Sequence, residues 1–200
     1  MPRIQNLSEE VYVLGPGKRF AIWYQGCLKD CKNCINQDGR KLKGGILYSN
    51  SQIYEMILKE NDLTGITLSG GEPFLQYNEV LELIKMIKEN TELDVIIYTG
   101  YKLKELIEKY GDEFCKYTDI LIDGEYIEEL DNGEELRGSG NQTIYFLSNK
   151  YQKAMLKLEK SKKREIQFDI LGGKTIFMIG IPPKGFYENL LKELIKEERI

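Results

Sequence analysis

The sequence predicts an α/β protein with a parallel sheet, on two observations. Short apolar runs alternate with longer segments of helical apolar spacing, as repeated βαβ units require. Each run also ends in glycine or a small polar residue, and in such sheets chemistry collects at the strand carboxyl ends. With 200 residues, 42% of them hydrophobic and 30% charged, the chain has ordinary globular composition, which excludes a disordered or collagen-like protein. A chain of this size buries enough surface to hold a core without disulfides.

In chain order, Val11–Leu14 and Phe20–Tyr24, separated by the turn Gly15-Pro16-Gly17, read as a strand pair or as one strand with a turn before it. Gly26 to Gly45 is polar and reads as a loop, Ser51–Glu60 as a short helix, and Gly65–Leu68 as a buried strand running into Ser69-Gly70-Gly71-Glu72-Pro73. Val80, Leu81, Leu83, Ile84 and Ile87 have helical spacing, and the strand Val95–Tyr98 follows, stopped by Thr99-Gly100. Leu103, Leu106 and Ile107 mark the next helix, and Ile120–Ile122 the next strand, ending at Asp123-Gly124. Past Leu147 the pattern changes. Tyr151–Glu165 reads as a lysine-rich surface helix. Ile166–Leu171 and Lys174–Gly180 flank Gly172-Gly173 as a hairpin, and Phe186, Leu190, Leu191, Leu194 and Ile195 form the apolar stripe of a closing helix. The chain is therefore expected to divide into residues 1–149 and a C-terminal appendage, 150–200.

The formal charge of −4 argues against a general nucleic-acid binder. No apolar run approaches the roughly 18 residues of a membrane span, and MPRIQNLSEEVYVLG lacks a signal-peptide pattern; the expectation is a cytoplasmic protein. There is no histidine, which excludes an imidazole base, a Ser-His pair and any His-ligated metal.

Three of the four cysteines, Cys27, Cys31 and Cys34, share one loop with the spacing C-x3-C-x2-C. Clustered thiolates select zinc, copper(I) or iron–sulfur clusters. Structural zinc and standard [4Fe–4S] sites both take four ligands. Three cysteines in one tight loop instead describe a cubane held at three irons with the fourth open to a ligand; a zinc site completed by Cys115 or by a partner chain is the alternative. Cys115 itself, in Phe114-Cys115-Lys116-Tyr117, reads as a small buried hydrophobe.

C-x3-C-x2-C after a strand resembles the signature of the radical S-adenosylmethionine (SAM) enzymes, and Ser69-Gly70-Gly71-Glu72-Pro73 resembles their GGE motif. Taken alone, that second segment is also a plain strand-to-loop turn. Gly15-Pro16-Gly17-Lys18-Arg19, Tyr98-Thr99-Gly100-Tyr101-Lys102-Leu103, Leu121-Ile122-Asp123-Gly124 and Arg137-Gly138-Ser139-Gly140-Asn141-Gln142 resemble segments of the activating proteins for anaerobic ribonucleotide reductase. The resemblance spans roughly residues 10–147 and implies a partial (β/α) barrel of the radical SAM type.

It also implies one [4Fe–4S] cluster on Cys27, Cys31 and Cys34, with SAM chelating the open iron. Gly70, Gly71 and Glu72 would hold the methionyl end, and the backbone around Asn33 and Ile35 the adenosyl group. Thr99 and Asp123 would line the same cavity; a strand-terminal hydroxyl and an Asp-Gly turn are their plainer readings. A side chain at Gly71 is expected to block SAM while leaving the iron in place. The implied partners are a large glycyl radical enzyme and an electron donor such as flavodoxin or ferredoxin. A radical SAM enzyme acting directly on a small molecule, nucleoside or peptide, and a non-catalytic iron–sulfur or zinc adaptor, are the other readings. Lys18–Lys43 is rich in cations and Glu105–Glu135 in carboxylates; these read as solvated surface, or as a basic rim suited to an anionic donor or partner.

Overall fold

The computed structural model describes residues 1–151, 164–171, 175–186, 189, 190 and 192. Seven strands form one sheet: β1 (Arg3–Val11), β2 (Arg19–Tyr24), β3 (Ile46–Leu47), β4 (Gly65–Gly70), β5 (Asp94–Thr99), β6 (Ile120–Asp123) and β7 (Thr143–Phe146), in the spatial order β3-β1-β2-β4-β5-β6-β7. The centre, β2-β4-β5-β6, is parallel; β1, β3 and β7 pair antiparallel at its flanks. The sheet is thus mixed and open, with β3 and β7 at its edges, and it does not close into a barrel. A separate two-stranded sheet, β8 (Ile166–Leu171) and β9 (Thr175–Gly180), is the expected hairpin. Its turn, the lysine-rich segment from 152 to 163 and most of the closing helix lie outside the described residues. Among the described residues no helix is long and apolar enough to cross a membrane.

The parallel strands alternate their side chains between two faces. Phe20, Ile22, Tyr24, Ile66, Leu68, Val95, Ile97 and Leu121 are buried against α2 (Asn50–Lys59), α3 (Tyr77–Asn90) and α4 (Leu103–Tyr110), which contribute Ile53, Ile57, Val80, Leu83, Ile84, Ile87 and Leu106. On the other face, Ile96, Ile120, Ile122 and Ile144 pack beneath Leu136 and Tyr151. There Ala21 and Trp23 lie under Phe177 and Ile179 of β9, with the Trp23 and Phe177 rings edge to face at 5.2 Å. The inner face of the hairpin therefore packs on the sheet, and Phe168, Ile170 and Ile176 of the opposite face are exposed.

The first strand differs from expectation: it runs over Arg3–Val11, and residues 12–14 are bends. Its pairing with β2 carries two register shifts, which break the alternation by which a strand is recognised. The edge strands β3 and β7 escape for a similar reason, being only two and four residues long.

Gly15-Pro16-Gly17-Lys18-Arg19 serves the opposite end of the sheet from the cysteine loop. Arg19, which opens β2, is fully buried. Its guanidinium donates to Asp94 at 2.5 Å, Thr67 at 2.6 Å, and the carbonyls of Ile66 at 2.6 Å and Pro16 at 3.1 Å. Tyr151 donates to the second Asp94 oxygen at 2.6 Å. The motif thus locks the amino ends of β2, β4 and β5. Arg19→Met removes the main partner of the buried Asp94 carboxylate and is expected to cost about 3–5 kcal/mol, read as a shift in denaturant midpoint; an unchanged midpoint would show that Tyr151 and Lys150, whose Nζ lies 3.3 Å from Asp94 Oδ2, alone satisfy Asp94.

Candidate active site

The cysteine loop grows out of the carboxyl end of β2, and backbone bonds fasten both of its legs. Gly26 N–H donates to Gly39 O at 2.7 Å and Cys27 N–H to Arg40 O at 3.1 Å. Gln25, only 6% exposed, donates its amide to the carbonyls of Lys41 at 2.6 Å and Asp38 at 2.9 Å. Asn36 accepts from Gly39 N–H at 3.1 Å and exchanges amide bonds with Gln5 of β1, which folds the return leg into the short helix α1 (Gln37–Arg40). That turn is too short for its apolar pattern to announce it.

Cys27, Cys31 and Cys34 are all half-buried, and Cys31 and Cys34 both lie close enough to act on the ionisation of Cys27. Burial pushes the Cys27 and Cys31 thiols up, offset in part by N–H donors from Lys29 and Tyr126 respectively. Asn33 adopts a left-handed backbone (φ 55°) between the second and third cysteines, and Ile35 is half exposed. Among the described residues no three Cys, Asp or Glu side chains stand pre-gathered as a metal site. The donor set nevertheless fits a soft iron–sulfur group: three thiols on one short loop in a chain without histidine.

The Gly70-Gly71-Glu72 segment lies directly beneath this loop. Gly71 N–H donates to Tyr24 O and Glu72 N–H to Gly26 O, both at 2.8 Å. Gly70 has φ +111°, and a β-carbon there would lie 2.5 Å from Tyr24 O. At Gly71 a β-carbon would collide with Gly26 O and lie 2.5 Å from Gly39 O. Both glycines are therefore demanded by the protein's own backbone, a requirement visible only once β4 and the cysteine loop are side by side. Gln76, in the turn after this segment, donates to Gln25 O at 3.1 Å and Arg3 O at 3.0 Å, which adds a further tie.

Glu72 is almost fully buried. Its carboxylate accepts from Thr99 Oγ1 at 2.8 Å, Gly100 N–H at 2.8 Å and Phe74 N–H at 3.0 Å. Burial lifts its pKa from 4.5 to about 7, against the pull of these donors and of Lys29. Between those two values the folded protein keeps a proton that the unfolded chain has lost, so stability falls as pH rises and levels off above the upper value. Wild type is expected to lose roughly 3 kcal/mol over that interval relative to Glu72→Gln, in paired denaturant titrations. Parallel pH curves for the two proteins would show that Glu72 keeps its ordinary pKa.

Thr99 is thus brought into contact with Glu72. Asp123 is placed differently: fully buried, it accepts from Leu103 N–H at 2.7 Å, Lys102 Nζ at 3.1 Å and Thr143 N–H at 3.3 Å. It fixes the start of α4 and the first residue of β7.

Several residues of the site gave no sequence signal on their own. Lys29, between the first two cysteines, pairs with Glu125 at 2.8 Å and lies 4.4 Å above the Tyr101 ring. Asn33 donates to Glu128 at 2.9 Å, and Lys32 reaches Glu128 and Glu129 at 3.7 and 3.6 Å. Lys29 and Lys32 of the basic segment are therefore spent on the acidic one, whereas Lys18, Arg40 and Lys41 pair with Glu60, Asp30 and Asp38. Arg137-Gly138-Ser139-Gly140-Asn141-Gln142 holds the acidic side in place. Ser139 Oγ accepts from Ile127 N–H at 3.0 Å, Asn141 donates to Glu125 O at 2.8 Å and Gln142 to Gly124 O at 2.7 Å.

Known proteins agree with this arrangement. Residues 13–145 match the model of the 4Fe-4S single cluster domain. The chain is 38% identical over 141 residues to an anaerobic ribonucleoside-triphosphate reductase-activating protein of Vibrio cholerae, covering 66% of this chain and 90% of that protein. It is 32% identical over 139 residues to the protein of the same name from Enterobacteria phage T4, covering 67% and 87%. A pyruvate formate-lyase-activating enzyme of Clostridium pasteurianum is 29% identical over 150 residues, covering 71% of this chain and 60% of that enzyme. With a cysteine loop seated on a buried glycine–glutamate platform, and identity on this scale over 87% and 90% of the two reductase-activating relatives, the chain belongs to the family of anaerobic ribonucleoside-triphosphate reductase-activating proteins.

Proposed function

We propose that this protein is a radical SAM activating enzyme that installs a glycyl radical on a large partner such as anaerobic ribonucleotide reductase. The observation that carries this reading is the direct seating of the three-cysteine loop on Gly70-Gly71-Glu72 through Gly26. When bound, a [4Fe–4S] cluster with SAM at its open iron supplies reductive cleavage of the sulfonium and a carbon radical able to take hydrogen from glycine. Cys27, Cys31 and Cys34 would hold the cluster. Glu72, oriented by Thr99 and Gly100, would face the ammonium group at the methionyl end of SAM, where a buried carboxylate gains most from a cation. The backbone at Asn33 and Ile35 would meet the adenosyl group. Asp123 would act at one remove, by holding α4 against β7.

The parallel strands β2, β4, β5 and β6, with these motifs at their carboxyl ends, support a partial barrel of the radical SAM type. The family match ending at residue 145 supports a boundary near residue 150 between the cluster unit and the appendage. The electron would come from a small donor such as flavodoxin or ferredoxin. The test is to reconstitute the protein anaerobically, reduce it and add SAM, then add the partner reductase. The expected results are 5′-deoxyadenosine and a glycyl radical signal in electron paramagnetic resonance. Deoxyadenosine without a radical on any glycyl radical enzyme would point to a small substrate, and absence of both would sink the assignment.

A further inference from the structure

Arg164 stands just before β8, in the appendage, and its side chain is only 4% exposed. All five of its N–H donors are used. Nε donates to Glu134 O at 3.0 Å; Nη1 to Asp131 Oδ2 at 3.1 Å and Pro182 O at 3.2 Å; Nη2 to Arg137 O at 2.7 Å and Gly138 O at 3.1 Å. Asp131, 6% exposed, completes an ion pair at 2.8 Å. Only a planar guanidinium can serve this many fixed acceptors, so lysine is no substitute.

All of the acceptors except Pro182 O lie in the segment between β6 and β7, and two of them, Arg137 and Gly138, open the stretch that fastens residues 124–127. Those fastened residues and the one after them meet the cysteine loop: Glu125 takes Lys29 and Glu128 takes Asn33. A continuous set of bonds thus runs from the appendage to Lys29 and Asn33, on either side of the second cysteine. We propose that Arg164 is a positioning residue for the cluster site, fastening the appendage to the β6–β7 segment and through it setting the surface on which the cysteine loop rests. The role assigned to the cluster rests on the proposed function; the mechanical link does not.

The test compares wild type with Arg164→Lys and Arg164→Gln in the full-length chain. Hydrogen exchange is followed without iron, and the rate of iron loss to a chelator after reconstitution. Exchange in residues 124–142 and 27–35 should rise roughly tenfold or more, the scale of lost charged hydrogen bonds, with β4 and β5 unchanged and iron lost correspondingly faster. If Arg164→Gln exchanges fast throughout, the Lys variant decides. Faster exchange confined to the appendage, or spread evenly over the sheet in both variants, would overturn the link. A wild type that takes up no iron would defeat the cluster assignment instead, and exchange alone would then decide the role of Arg164.

Discussion

Alanine at any one of Cys27, Cys31 and Cys34 is expected to take the reconstituted protein from about four irons per chain to nearly none, whereas Cys115→Ala keeps the full complement. The loop that carries the three thiols is tied at both legs by Gln25, Gly26 and Cys27. Loss of one sulfur therefore removes a ligand without unfolding the loop, and no other thiol is near to replace it. Cys115 lies on the turn Glu113–Tyr117, which leads into the amino end of β6, and packs with Phe114 against the helix-side core. The cysteine loop leaves the carboxyl end of β2, parallel to β6 through β4 and β5, so the fourth thiol is at the wrong end of the sheet. Iron content and visible absorption of the four variants check this. Dependence on Cys115 would mean four protein thiolates and no open iron, and one tightly held zinc in place of four irons would favour the adaptor reading.

The legible parts of this fold were those with a local cause. β5 and β6 carry continuous apolar runs, and β4 one interrupted by the buried Thr67, because both of their faces are covered, and each is punctuated by Gly70, Gly100 or Gly124 just where the chain turns. The cysteine spacing and the glycine–glutamate segment are also local, and both point to the rim where the structure puts them. What could not be read depends on pairings across the chain. β1 is irregular because two register shifts interrupt it. Lys29 and Lys32 looked like surface cations until Glu125, Glu128 and Glu129 were found opposite them, although two long runs of opposite charge in one chain were the available hint. Arg19 is conspicuous in its motif, but only the parallel register that sets it beside Gly65, and Gly65 beside Asp94, shows that it clamps strand ends.

Gly71→Val is expected to abolish SAM cleavage and, contrary to what the motif alone suggests, to release the iron as well. The motif suggested a glycine kept small for a ligand. In the folded chain the space beside Gly71 is already filled by the carbonyls of Gly26 and Gly39. Neither carbonyl is free to retreat: Gly39 O accepts from Gly26 N–H at 2.7 Å and Gly26 O from Glu72 N–H at 2.8 Å. A side chain must push the outgoing and returning legs of the cysteine loop away from β4, and with them the residue before Cys27. Overpacking against backbone costs at least about 1–3 kcal/mol, concentrated here on the bonds that close the loop, so even Gly71→Ala should lose most of its iron. Gly100→Ala is the control, since a β-carbon there meets the flexible Lys29 side chain at 3.2 Å and Glu72 Oε2 at 3.5 Å; it should retain iron. Iron analysis of Gly71→Ala, Gly71→Val and Gly100→Ala, with deoxyadenosine formation measured on each, separates the two explanations. A Gly71 variant with its full iron and no SAM cleavage would return the glycine to the ligand, and show that the cysteine loop can yield without opening.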